Sequence, residues 1–219
     1  MTPIAPQIGA SEGPTTYTVA NIKPGTTKTT SAGFLAHALP GPTLAVDADP
    51  PGSLLRWSEL AGWSVPVIGL AVRDLHKRLP GLARDYATVV IDTPPLEDHV
   101  GIATSALRAA DVIVVPVGPT TMELDRLSPV FEAIEEVTPL RERPPIVRIL
   151  LTRVVGGAHS GGNARDVLTE AGLTVLRANV PRKERYAQAF GAPVRLIPGD
   201  PYASAAEELQ TAVKEAAQR

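Results

Sequence analysis

Two stretches of this chain, Thr88–Asp92 (TVVID) and Asp111–Val117 (DVIVVPV), are apolar almost without interruption. A strand with one wet face alternates apolar and polar residues. A short run without alternation is the mark of a parallel strand covered by helices on both faces. Four further short runs read as strands: Thr16–Asn21 (TYTVAN), Thr43–Asp47 (TLAVD), Val147–Thr152 (VRILLT) and Thr174–Arg177. Helical patterns fall between them at Thr29–Leu39, from an N-cap at Ser53 to Ala61, at Leu70–Leu79 and at Glu123–Val137. Pro40-Gly41-Pro42 stops the first of these. Strands alternating with helices predict an α/β fold, a doubly wound and mostly parallel sheet flanked by helices. Gly156–Gly162 (GGAHSGG) is expected to be a mobile loop. The organisation expected is one domain over residues 15–219 behind a flexible tail over residues 1–14.

Composition narrows the chemistry. The chain has no cysteine, which excludes disulfides, thiol nucleophiles, zinc–thiolate sites and cysteine-held iron–sulfur clusters. No run approaches the roughly 18 apolar residues that span a bilayer. The first 14 residues, without the basic start and apolar core of a signal peptide, read as a flexible tail, and the lack of cysteine makes the cytoplasm the expected compartment. Charge is uneven: residues 1–140 carry a net −6 and residues 141–195 a net +6. A basic third is either an electrostatic footprint for phosphate backbones or a scatter of solvated arginines.

The first predicted strand runs into Lys23-Pro24-Gly25-Thr26-Thr27-Lys28-Thr29-Thr30, a Gly/Thr-rich turn that opens a helix. Backbone N–H groups at such a turn point at an anion, and the helix dipole favours negative charge there. Lys28 would lie along the phosphates, with the Thr29 hydroxyl on Mg²⁺. The general pattern G-x-x-x-x-G-K-[ST] is met only at Lys28-Thr29, since Ile22 and Thr27 replace its glycines. On that pattern alone, a polar turn capping a helix is the other reading. Thr27 matters further, because a β-branched residue tolerates a positive φ badly.

The same stretch resembles the deviant phosphate loop of the ParA/MinD family of ATPases, K-G-G-x-G-K-T-T. Lys23 and Lys28 keep its lysine spacing, Gly25 its middle glycine and Thr29-Thr30 its ending; Pro24 and Thr27 depart from it. The resemblance continues along most of the chain. Val46-Asp47-Ala48-Asp49-Pro50 matches V-D-x-D-P, with Pro51 where Gln is usual, and Ser53-Leu54-Leu55-Arg56-Trp57 is similar to small partition proteins. Val89-Val90-Ile91-Asp92-Thr93-Pro94-Pro95 looks like the Walker B segment, and Ala110–Pro119 like the family's A-D-x-V-I-V-P-x-x-P strand. Near the end, Val180-Pro181-Arg182 with Tyr186, Ala189, Gly191, Pro193 and Val194 is similar to its I-P-R segment.

The resemblance implies ATP as cofactor, ADP as product and Mg²⁺ as the ion. Lys23, Pro24, Gly25, Thr26, Thr27, Lys28, Thr29 and Thr30 would hold the phosphates, with Arg153 and Pro181 on the base side. Lys23, Lys28 and Asp47 are the implied catalytic residues; Thr29, Asp49 and Asp92 are the implied metal site. It further implies a homodimer closed by ATP, in which Lys23 reaches the other subunit's phosphates, as an arginine finger does. A dimer duplicates any basic patch, which makes non-specific DNA binding ATP-dependent. Arg182, Lys183 and Arg185 are the candidate DNA contacts, against the alternative of a solvated helix start.

Within the family, the absence of cysteine excludes the iron–sulfur branches. The end Ala203–Arg219 (ASAAEELQTAVKEAAQR) lacks the bulky apolar, basic character of a membrane anchor. The short lead leaves no room for the helix-turn-helix of longer relatives. The expectation is a small ParA-type ATPase, cytoplasmic and nucleoid-associated, acting in plasmid or chromosome partition with a ParB-like centromere-binding protein. The alternatives are a non-hydrolysing scaffold and a relative that positions protein cargo.

Overall fold

The computed structural model describes residues 13–157 and 160–218. A single seven-stranded sheet runs through it, in the order β3-β2-β4-β1-β5-β6-β7 and parallel throughout. Its strands are β1 (Thr15–Val19), β2 (Thr43–Asp47), β3 (Val67–Gly69), β4 (Thr88–Asp92), β5 (Val112–Val117), β6 (Ile146–Val154) and β7 (Val175–Pro181). The doubly wound arrangement read from the apolar runs is the one found. In β5, Val112 and Val114 pack against one layer of helices, while Ile113, Val115 and Val117 pack against the other. That division is why the run shows no polar residue.

On the first face lie α1 (Lys28–Ala38), α2 (Ser53–Ala61), the short α8 (Glu184–Ala187) and α9 (Pro201–Ala217). Phe34 of α1 stacks on Tyr202 of α9 at 4.9 Å between ring centroids, and Trp57 of α2 meets Trp63 edge-on at 4.9 Å. On the second face lie α3 (Leu75–Leu82), α4 (Val100–Ala109), α6 (Ser128–Val137) and α7 (Ser160–Glu170). The one-turn α5 (Thr121–Asp125) leads into α6. The C-terminal α9 buries Tyr202, Ala205, Ala206 and Leu209 in the core. Among the described residues, no helix is long and apolar enough to cross a membrane.

Several boundaries differ from the sequence reading, each for a local reason. Ser53 is the first helical residue of α2 rather than its cap; Gly52, at φ 69°, holds the cap position. The helix expected over Leu70–Leu79 starts only at Leu75, because the Leu70 amide donates to the Asp47 carbonyl (2.7 Å) and prolongs the β2–β3 pairing. Glu123–Val137 is two helices, since Pro129 has no N–H to continue one. Ser160-Gly161-Gly162, expected in a loop, opens α7. The sequence reading also missed β3 and α4. The tail expected over residues 1–14 falls mostly outside the described residues.

Strand β7 forms one edge of the sheet, and its exposed backbone is occupied. A bulge against β6 frees the amides of Arg177 and Ala178, and both donate to the Glu208 carboxylate at 2.8 Å. From α7 on the other face, Arg165 donates to the carbonyls of Val175 and Arg177. An edge satisfied in this way offers little to a foreign strand.

Gly33 is the tightest point of the first face. A Cβ there would lie 2.9 Å from the Trp57 ring and 3.0 Å from the Trp63 ring. Gly33→Ala is therefore expected to destabilise the protein by about 1–3 kcal/mol through overpacking, despite the better helix propensity of alanine. A thermal melt checks this, with a fall in Tm of about 2–4 °C expected per kcal/mol.

Candidate functional site

The register of the sheet fixes the site. Asp92, last residue of β4, is level with Val19 at the end of β1 and with Asp47 at the end of β2. The chain leaving β1 makes a loop over 20–27 and enters α1 at Lys28. Loop, helix N-terminus and both carboxylates therefore share the carboxyl edge of the sheet, where ligands of open α/β sheets bind.

Side chains and backbone hold the loop together. Asn21 anchors its start: the side-chain amide donates to the Pro116 carbonyl (2.7 Å) and the side-chain oxygen accepts from Ile22 N–H (2.6 Å). Sequence reasoning passed over Asn21, although an amide at the end of a buried strand was the available signal. The Lys23 carbonyl accepts from Lys28 Nζ (2.8 Å) and from the Thr26 hydroxyl (3.1 Å). Burial lowers the Lys28 pKa, and Asp92, Asp49, Asp98 and Glu97 oppose that fall. A buried ammonium folded back on its own loop, among carboxylates, is a cation ready for an anion. The Lys23 side chain is half-exposed, 3.9 Å from Glu97.

Gly25 and Thr27 both take positive φ, 73° and 66°. Position 27 thus takes the left-handed backbone that a β-branched residue tolerates badly. No side chain caps the start of α1, so the first-turn N–H groups face the crevice without a side-chain acceptor.

The three aspartates play different parts. Asp47 is 1% exposed, and its two oxygens accept from the backbone N–H groups of Asp49 (3.0 Å) and Leu55 (2.9 Å). It caps α2 from the neighbouring strand, doing what Ser53 was expected to do. Burial raises its pKa, and the N–H donors partly reverse the rise. Asp49 is only half-buried. Burial first, then Asp47, raises its pKa, while Lys28 and His99 draw it down.

Asp92 is fully buried, and neither carboxylate oxygen has a hydrogen bond of ordinary geometry among the described residues. Burial pushes its pKa up to about 8, although the nearby Thr29 hydroxyl counters part of the rise. Unpaired buried carboxylates are costly. Thr29 and Asp92 form a hard oxygen donor pair that fits Mg²⁺, an ion usually held by one or two protein oxygens plus waters and phosphates. Among the described residues, no three His, Asp or Glu side chains form a cage of their own.

Arg153, at φ 56°, sits near the end of β6; its guanidinium meets Glu123 (2.5 Å) and donates to the Gly25 carbonyl (3.3 Å). Val154 pairs with Pro181 across the strands, which puts Arg153 and Pro181 at one end of the sheet. The basic third is not one patch. Arg141 donates to the carbonyls of Leu107 and Arg108, and Arg165 to Asn179. Arg185 pairs with the buried Asp200 (2.9 Å) and lies over the Tyr186 ring at 4.8 Å, so it serves the fold rather than an external phosphate. Arg182 and Lys183 are exposed.

Comparison with known proteins agrees with this geometry. Residues 17–194 match the model of the CobQ/CobB/MinD/ParA nucleotide binding domain. The chain is 34% identical to the maintenance of carboxysome distribution protein A of Gloeobacter kilaueensis, over 84% of this chain and 81% of that protein. The solved structure of apo McdA from Cyanothece superposes with a TM-score of 0.73 at 18% identity, covering 89% of this chain and 99% of that one. A putative plasmid partition protein from Borrelia burgdorferi bound to AMPPNP gives 0.69 at 17% identity, covering 93% and 99%.

The isolation of Asp92 makes a direct prediction. With its pKa pushed up to about 8, Asp92 must take up a proton to fold at neutral pH when no ligand is bound, so Asp92→Asn should raise the Tm by at least about 3 °C, roughly 1 kcal/mol in a chain of this size. Differential scanning calorimetry of both proteins measures it; an unchanged or lower Tm would contradict the assignment of an uncompensated carboxylate.

Proposed function

The chain belongs to the CobQ/CobB/MinD/ParA nucleotide-binding family of ATPases, and on that premise we propose that it is an ATP-driven positioning switch. ATP closes two copies into a homodimer, the dimer binds DNA without sequence preference, and a cargo-bound partner prompts hydrolysis and release. The observation that carries the reading is the meeting of Lys28, Thr29, Asp49 and Asp92 at one end of the sheet, where the loop enters α1 without a side-chain cap.

In this proposal the backbone of residues 24–30 and Lys28 bind the phosphates, and Lys23, half-exposed at the rim, reaches the partner subunit's nucleotide. Arg153 and Pro181 lie toward the base. When bound, Mg²⁺ would neutralise charge on the transferring phosphoryl group, held by Thr29 and by Asp92. Asp47, expected from the sequence to act on water, has both oxygens taken by backbone amides. The water-orienting role passes to Asp49, half-buried and influenced by Lys28. The non-hydrolysing scaffold has less support, since Lys28, Asp49 and Asp92 lie close enough to influence one another.

The 34% identity to a carboxysome distribution protein favours a protein assembly as cargo. Plasmid or chromosome partition with a ParB-like protein is the second reading, supported by the likeness in fold to a putative plasmid partition protein. DNA contacts in either case fall to Arg182 and Lys183, and nucleoid association would follow from them.

Lys28→Ala should abolish Mg-ATP binding in calorimetry. Asp49→Ala should still dimerise with ATP in light scattering while hydrolysis falls at least about 100-fold, the loss expected for a group that acts on the nucleophile. Asp47→Ala should instead destabilise the fold by about 1 kcal/mol through loss of the α2 cap, a fall in Tm of about 2–4 °C. If Asp47→Ala keeps its stability and Asp49→Ala keeps its turnover, the roles are reversed. DNA affinity should drop steeply with salt, and Arg182→Ala with Lys183→Ala should flatten that slope by about two units in a fluorescence anisotropy titration.

A further inference from the structure

Among the described residues, two that are not glycine adopt a left-handed backbone, Thr27 (φ 66°) and Arg153 (φ 56°), and they belong to two segments that touch. The Thr27 hydroxyl donates to the hydroxyl of Thr152 at 3.2 Å, and Thr152 is fully buried. The next residue, Arg153, donates to the Gly25 carbonyl at 3.3 Å. The phosphate loop is therefore gripped at residues 25 and 27 from the end of one strand, two places away from β1 in the sheet. We propose that this strand end is a clasp, in which Thr152 and Arg153 are positioning residues that hold the loop in its anion-binding shape.

The clasp has its own support. Glu123 receives Arg153 at 2.5 Å and the Gly118 amide at 2.8 Å. The carboxylate thus ties the end of β5, the start of α5 and the guanidinium together. Gly118 leaves the space for this pair: a Cβ there would lie 2.8 Å from one Glu123 oxygen and 2.9 Å from the Arg153 guanidinium.

The physical need for a clasp arises from Thr27. A glycine at that position turns the chain freely, whereas a β-branched residue adopts positive φ only where its surroundings impose it. Here the hydroxyl that makes the residue unsuitable as a free hinge also supplies the bond that fixes it. Two backbone strains facing each other, joined through Thr152 and Gly25, mark a segment set before any ligand arrives. Order already in place is order that binding does not have to create. This inference rests on the ATP reading for its effect on nucleotide affinity, but the clasp itself is a property of the ligand-free chain.

A double-mutant cycle at residues 27 and 152 tests it, with two readouts. Thr27→Val and Thr152→Val should each weaken Mg-ATP binding about 3- to 10-fold, the loss of one hydrogen bond, and the double variant should be no weaker than the worse single one. For Thr152→Val, which lies outside the phosphate-holding loop, hydrolysis at saturating ATP should stay within about twofold, as expected of a group that acts through loop position. Thr27→Ser, which keeps the hydroxyl without the branch, should bind like the wild type. In the nucleotide-free protein, amide exchange over residues 24–28 should quicken in both valine variants and stay slow in Thr27→Ser. Additive losses in the double variant, or unchanged exchange in both single variants, overturn the clasp. Wild-type protein that binds no Mg-ATP would overturn the ATP reading instead, and exchange would still decide the clasp. Should Thr152→Val fail to fold, the Thr27→Val and Thr27→Ser pair decides the same question from the loop side.

Discussion

A carboxylate without a full hydrogen bond, sealed at the end of a central strand, is the constraint around which the rest of this molecule is arranged. Asp92 lies between β1 and β2, wholly out of solvent, with its charge disfavoured by burial. Burial disfavours the charge of such a carboxyl even with the Lys28 ammonium near it, so it does not favour folding. Its presence makes sense in a molecule that spends part of its cycle with a cation beside it. The surrounding groups fit that demand: Thr29 offers a hydroxyl, Lys28 an ammonium, and the start of α1 a set of backbone N–H groups with no side-chain cap.

The same edge of the sheet shows how stability and function divide among similar residues. Two aspartates, Asp47 and Asp49, stand two positions apart. One is absorbed into capping α2, with each oxygen met by an amide; the other keeps its carboxylate at the half-open rim. A helix N-terminus next to a strand end needs an acceptor, and Asp47 is the nearest one. That need occupies both of its oxygens. Arg185 follows the same logic on α8, where the buried Asp200 and two aromatic rings take up its charge. A basic residue read from sequence as available to DNA is instead what makes a buried acid tolerable.

The phosphate loop adds a further layer. Its departure from glycine at Thr27 looks like a defect when the sequence is compared with a pattern. In three dimensions the residue is held by a hydroxyl from β6, and the neighbouring Arg153 shares its unusual backbone. Strain at one point is offset by bonds made across more than a hundred residues of sequence. No local reading of the loop could contain that information.

The sequence by itself determined the parallel sheet, because unbroken apolar runs such as TVVID and DVIVVPV are stable only with helices on both faces. It also determined the order of the site: a loop with two lysines after β1, then Asp47 and Asp49, then Asp92, each at a strand end. Local periodicity and turn chemistry carry those facts. What lay beyond it were the choices that depend on distant partners. Leu70 joined a strand rather than a helix because the Asp47 carbonyl was there to receive its amide. Asp47 became a cap and Asp49 stayed at the rim because α2 begins beside one and not the other. Thr27 could take its backbone shape because Thr152 waited opposite. A residue's type is written in the chain, but whether its polar atoms are already occupied is set only when the strands come together.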